Sequence, residues 1–157
     1  GNNMDKKAII YTSYHHHNTV NLLKDATDEF EYDWYNLLRD KDVKIPLSNY
    51  QTIIFASGIY YGRMHKVMVN FLLNHKEELE NKKVLAIITS GKGAKGYAKR
   101  VKSHFKNLNV SNIEVFSCLA FDTYGPLKLI GGVNKGRPNY DDVNNLKEFL
   151  NNHLWSD

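Results

Sequence analysis

Hydroxyl, amide and imidazole groups crowd one short stretch of this chain, Tyr11-Thr-Ser-Tyr-His-His-His-Asn-Thr19. Ser13, Asn18 and Thr19 offer donors, and His15, His16 and His17 stand between them. The stretch follows the apolar run Ala8-Ile-Ile-Tyr11 and precedes Val20-Asn-Leu-Leu-Lys-Asp-Ala26, whose apolar spacing is helical. A strand that turns directly into a helix sets the helix N-terminus, with its unpaired N–H groups and positive dipole end, at the carboxyl edge of a sheet. Anions bind there, so the stretch reads as a phosphate cradle.

Two further strand exits carry ligand-like residues. Ser57-Gly-Ile-Tyr-Tyr-Gly62 follows the apolar run Gln51 to Ser57, and its Gly58 and Gly62 admit close backbone approach around Ile59, Tyr60 and Tyr61. Tyr60 and Tyr61 read as loop residues, a place where core packing explains tyrosine less well than it does for Tyr11, Tyr32 and Tyr35 on strands. His65 opens the next helix and is a candidate for orienting the loop, for donating a proton, or simply for capping. Thr89, Ser90 and Gly91 lead into Gly91-Lys-Gly-Ala-Lys-Gly96, a G-x-G-x-x-G spacing. A dinucleotide fingerprint belongs to the first strand-helix unit, and this one leaves the fourth, so a loop bordering the ligand is the better reading.

The histidine run is a poor metal site, because adjacent side chains diverge and no cysteine or carboxylate neighbours them. A solvated polar loop without function is the other alternative. Cys118 lies in the apolar stretch Ile113 to Ala120 and reads as a buried strand thiol rather than a nucleophile.

These exits need strands and helices to hold them. Strands are expected at Lys6 to Thr12, Tyr32 to Leu38 (an exposed edge, given Asp33 and Asn36), Gln51 to Ser57, Lys83 to Thr89 and Ile113 to Ala120. Helices are expected from Thr19 to about Phe30, Met64 to Leu79, after Gly96 to Leu108, and Tyr140 to Leu154, the last with Asp141 and Asp142 at its positive end. Strands alternating with helices call for an α/β fold, a doubly wound five-stranded parallel sheet with helices on both faces, for which 2-1-3-4-5 is one of the common strand orders. In that order the ligand sits where strands one and three part, and the two most ligand-like loops leave those strands.

With 157 residues and 42% hydrophobic content, one globular domain over residues 4–157 is expected, and Gly1-Asn2-Asn3 before Met4 reads as an expression scar. No apolar run is long enough to span a membrane and no signal-peptide pattern opens the chain, so the cytoplasm is the default location. A net charge of +4 without a long basic run argues against nucleic acid and fits a phosphorylated ligand or an acidic redox partner.

Nearly the whole chain resembles the flavodoxin-like proteins, and especially the branch similar to menaquinone-dependent protoporphyrinogen oxidase. The resemblance rests on Asn18-Thr19, on Ser57-Gly-Ile-Tyr-Tyr-Gly62 with His65, and on Gly131-Gly-Val-Asn-Lys-Gly-Arg-Pro138. It implies non-covalent FMN, with the phosphate at Ser13 to Thr19 and the flat ring walled by Tyr60, Tyr61, Tyr97, Phe121 and Tyr124. Relatives carry Gly where this chain has His17. If that position needs φ > 0, histidine weakens phosphate binding, whereas a protonated imidazole would add charge to it. The expected function is FMN-dependent electron transfer to a redox partner protein or a small-molecule acceptor. Two rivals stand beside it: a module that keeps the fold without the cofactor, and an enzyme acting on a quinone or porphyrinogen.

Overall fold

A computed structural model describes residues 6–12, 18–40, 44–91, 96–120 and 138–154. Five parallel strands form its sheet in the order β2-β1-β3-β5-β6, with a short β4 paired to β3. The strands are β1 Lys7–Tyr11, β2 Tyr32–Asn36, β3 Thr52–Tyr60, β4 Arg63–Met64, β5 Lys83–Ser90 and β6 Ile113–Leu119. The helices are α1 Asn18–Ala26, α2 Lys66–Asn74, α3 Lys76–Leu79, α4 Tyr97–Asn107 and α5 Tyr140–Leu154. The expected strand order is therefore the observed one.

The central strands are apolar on both alternating faces because both faces are covered. Ala8, Ile10, Ile53, Phe55, Val84, Ala86 and Ile88 face α2, α3 and α4, while Ile9, Ile54, Ala56, Leu85 and Ile87 face α1 and α5. Phe55 joins the layers on the first side, its ring centroid 6.2 Å from that of Phe71 on α2 and 5.8 Å from that of Phe105 on α4. Truncating a fully buried aromatic such as Phe105 to alanine would cost about 3–5 kcal/mol. β2 lies at one edge of the sheet, as its polar residues suggest, and β6 at the other.

Four boundaries differ from expectation, the first being α1, expected to reach about Phe30 and ending at Ala26. The segment Tyr32 to Leu38 leaves the strand after Asn36, where Asn36 Oδ1 accepts from the Leu38 N–H and the Asn36 carbonyl accepts from Asp40, an asparagine-centred turn. The helix expected from Met64 to Leu79 is broken at His75, whose φ of −119° is not helical. The stretch Ser57 to Arg63, expected as a loop, is mostly strand: β3 runs on to Tyr60, turns in two residues and pairs back through Tyr60↔Arg63 and Ile59↔Met64.

Gly58 has the local pattern of a breaker. In the structure it makes room within the strand. Residues two apart share a face, and a Cβ at position 58 would stand 3.1 Å from Tyr60 Oη, so the glycine admits the Tyr60 ring.

Candidate functional site

The chain reverses direction across the sheet between β1 and β3: α1 leaves β1 onto one face, and α2 follows β3 onto the other. The carboxyl ends of these strands form the crevice where ligands of this architecture bind. Buried hydroxyls line that edge. Thr12 donates its N–H to the Ala56 carbonyl (3.2 Å), and its Oγ1 lies 3.4 Å from Ser57 Oγ. Ser57 Oγ in turn accepts the His65 N–H at 3.0 Å and donates to the Gly58 carbonyl at 2.7 Å. On the α1 side, Thr19 Oγ1 and Thr89 Oγ1 share a 2.7 Å hydrogen bond. Thr19, Thr89 and Ser90 are all buried.

These hydroxyls partner one another, so they build the rim more than they present themselves to solvent. The start of α1 lies at the same edge. Its first turn holds no acidic residue, and the same is true of α2 and α4, which start at the same edge. α5 is the contrast: Asn139 Oδ1 accepts the Asp142 N–H at 3.0 Å and Asp142 Oδ2 accepts the Asn139 N–H at 2.8 Å, closing that helix end with its own carboxylate. An acid-free helix end at this edge suits a phosphate, and α1 starts there directly behind β1, at the switch point.

The hairpin turn supplies the aromatic element. Tyr61 and Gly62 have φ of +52° and +80°, the pair of positive values a two-residue type I′ turn demands. Glycine takes this conformation freely, while tyrosine pays about 1–2 kcal/mol for it. Tyr61 is also fully exposed, so no packing offsets that strain. An aromatic held out in solvent at a cost, at the mouth of a ligand crevice, fits a wall for a flat ring.

His65 is the N-cap of α2: its Nδ1 accepts the Val67 N–H at 3.0 Å, and its ring meets Tyr60 edge to face at 5.5 Å. Burial lowers its pKa, which favours the neutral ring that this cap needs. Among the expected site residues, Thr19, Ser57, Gly58, Tyr60, Tyr61, Gly62, Thr89, Ser90 and Gly91 come together along the carboxyl edge. Ile59 and Tyr97 pack instead against the core on the α2 and α4 side. Asn18 begins α1, and its side chain, like Ser13, His15, His16, His17, Phe121 and Tyr124, lies outside the described residues. Thr12 was missed as a rim residue. Its signal was a polar residue closing an otherwise apolar strand.

The flavodoxin domain pattern matches residues 9–128. The chain belongs to the flavodoxin domain family. An uncharacterized protein of Methanocaldococcus jannaschii is 37% identical to this flavodoxin domain over 151 residues, covering 95% of this chain and 98% of its own. A flavodoxin from the domain Archaea aligns with a TM-score of 0.65 at 15% identity, over 95% of this chain and 96% of that one. A Fusobacterium nucleatum flavodoxin bound to flavin mononucleotide aligns with a TM-score of 0.59 at 13% identity, over 98% of each chain. At such low identities these structures speak for the fold alone. No helix of this flavodoxin domain is long and apolar enough to cross a membrane, among the described residues.

Proposed function

We propose that this flavodoxin domain binds FMN non-covalently at the crevice between β1 and β3 and works there as a cytoplasmic electron carrier. The observation that carries the reading is the acid-free start of α1 at the switch point, beside a hairpin that holds Tyr61 bare in a strained conformation. The N–H groups of the first α1 turn, with Ser13 and His15 to Thr19, would hold the phosphate. Tyr60 and Tyr61 on one side, and Thr89 to Gly91, Phe121 and Tyr124 on the other, would border the ring, which supplies the redox chemistry when bound. A chain of net charge +4 would disfavour the anionic reduced ring less than an acidic flavodoxin does, giving a less negative potential.

The test is a visible absorption spectrum of the purified protein with and without added FMN, together with fluorescence quenching. A yellow protein, or tight binding that Thr19→Ala and Tyr61→Ala weaken, supports the site. A colourless protein that ignores FMN favours the rival in which the fold has lost its cofactor. That rival draws on His17 and on the mutual engagement of Thr19 and Thr89. The likeness to menaquinone-dependent protoporphyrinogen oxidase would add a quinone or porphyrinogen acceptor, and FMN-dependent turnover of either would favour that reading.

A further inference from the structure

Charge is divided unevenly in this chain. No Asp or Glu occurs between Asp42 and Glu77, and none between Glu80 and Glu114. Those two stretches contain the β3–β4 hairpin, α2 and α4, and the fold sets both helices on the same face of the sheet. On that face the acids come after α2, at Glu77, Glu78 and Glu80 in and beside α3, while the opposite face carries those of α1 and α5, namely Asp25, Asp141, Asp142 and Glu148.

Four cations gather where the acid-free elements meet the carboxyl edge. Arg63 lies on β4, Lys66 opens α2, and Lys99 and Arg100 lie in the first turn of α4; all four are exposed. Arg100 reaches the hairpin itself, its Nη1 standing 3.5 Å from where a Cβ of Gly62 would be. None of the four forms an ion pair among the described residues. Further along α4, Lys102 is paired with Glu114 at 3.4 Å. An open groove of about 490 Å³ continues from the rim along α4, past Lys99, Arg100, Ser103 and His104.

Unpaired like charges repel one another, which disfavours such a cluster unless something outside neutralises it. On the hairpin that Arg100 reaches stands Tyr61, bare and strained. An exposed aromatic beside arginine has the composition of a binding hot spot with a charged rim.

We infer that Tyr61 with Arg63, Lys66, Lys99 and Arg100 forms the docking surface for an acidic redox partner protein. The inference rests on the reading that FMN sits at this edge, since a partner exchanging electrons must approach there. Complementary charge steers the encounter and sets its salt dependence more than it sets final affinity. The bare ring of Tyr61 on a hairpin turn suits a protein surface, and a nucleic-acid strand, which is held by several stacked rings, is an outcome of the test.

A plant-type [2Fe–2S] ferredoxin, strongly acidic, is a suitable probe, with a basic c-type cytochrome and a short DNA duplex as controls. Each would be titrated into the 15N-labelled protein, with and without FMN, at roughly 20 mM and 200 mM salt. Ferredoxin should shift the amides of Arg63, Lys66, Lys99 and Arg100, and less so at the higher salt. The Arg63→Glu and Lys99→Glu pair should weaken binding about tenfold or more. Flavin quenching, read separately, should not change in that variant. Shifts elsewhere, indifference to the charge reversals, or tighter binding of cytochrome or DNA at this rim would overturn the inference. Ferredoxin engaging the rim of a protein that binds no FMN would keep the surface and remove the flavin reading. FMN bound beside a silent rim would do the reverse.

Discussion

The hydroxyls of Thr19 and Thr89 lie 2.7 Å apart, pinning the first turn of α1 to the carboxyl end of β5 across seventy positions of chain. The bond is buried, so its two partners are worth little net stability together but are costly apart. Thr19→Val or Thr89→Val alone should each lose about 1–3 kcal/mol, because the remaining hydroxyl is stranded. The double variant should recover most of that loss. Urea unfolding in a double-mutant cycle measures it, and strictly additive losses would mean that the two hydroxyls do not depend on each other.

Tyr61 should be a site where stability and ligand binding pull apart. Tyr61→Gly relieves a left-handed tyrosine and should stabilise the fold by about 1 kcal/mol, whereas Gly62→Ala at φ +80° should cost at least about 1 kcal/mol. If the ring contacts FMN, the stabilised Tyr61→Gly protein should bind it more weakly. Thermal unfolding and flavin titration on the same samples decide the matter, and unchanged FMN affinity would remove Tyr61 from the site.

The His65 cap should be sensitive to acid. Burial lowers the folded pKa below its unfolded value of 6.5, so the unfolded chain binds the proton more readily. The stability this gives is present above about pH 6.5 and declines as the pH falls through that value toward the folded pKa. Protonation also removes the acceptor that caps Val67. His65→Asn keeps a capping oxygen without titrating. It should flatten the fall in melting temperature between about pH 7 and pH 5. His104, lowered by burial as well, should account for part of the slope that remains.

Tyr50 ties the edge strand down. Its hydroxyl donates to Asp33 Oδ2 at 2.5 Å and shares a 2.7 Å hydrogen bond with Tyr35, while Lys6 pairs with Asp33 at 2.9 Å. Burial raises Asp33, but the hydrogen bonds from Lys6 and Tyr50 outweigh it and hold the carboxyl below its usual value. Tyr50→Phe should raise the Asp33 pKa and cost about 1–2 kcal/mol, an effect that NMR titration of the carboxyl would follow. A Tyr50 variant with unchanged Asp33 titration would contradict this geometry.

Much of the architecture was legible in the residues themselves. Ile9 and Ile10, Ile53 and Ile54, and Leu85 and Ala86 are consecutive apolar residues, and only a strand covered on both faces buries both members of such pairs. Alternation of those strands with helical spacings leaves a doubly wound parallel sheet as the consistent answer, while the order 2-1-3-4-5 comes with the flavodoxin-like resemblance. The two ligand-like exits at the ends of β1 and β3 follow from the same pattern.

The details of the site were decided only in three dimensions. Local pattern treats Gly58 as a stop, and the space that Tyr60 takes above it exists only once the hairpin has folded back. Tyr-Gly is a weaker I′ signal than Asn-Gly, so the positive φ of Tyr61 could not be read from the pair alone. The Thr19–Thr89 bond, the Ser57–His65 tie and the meeting of Arg63 with Arg100 around one hairpin join residues that no local spacing relates. Periodicity records which side of an element is buried; which distant residue waits there is set by the packing of the sheet.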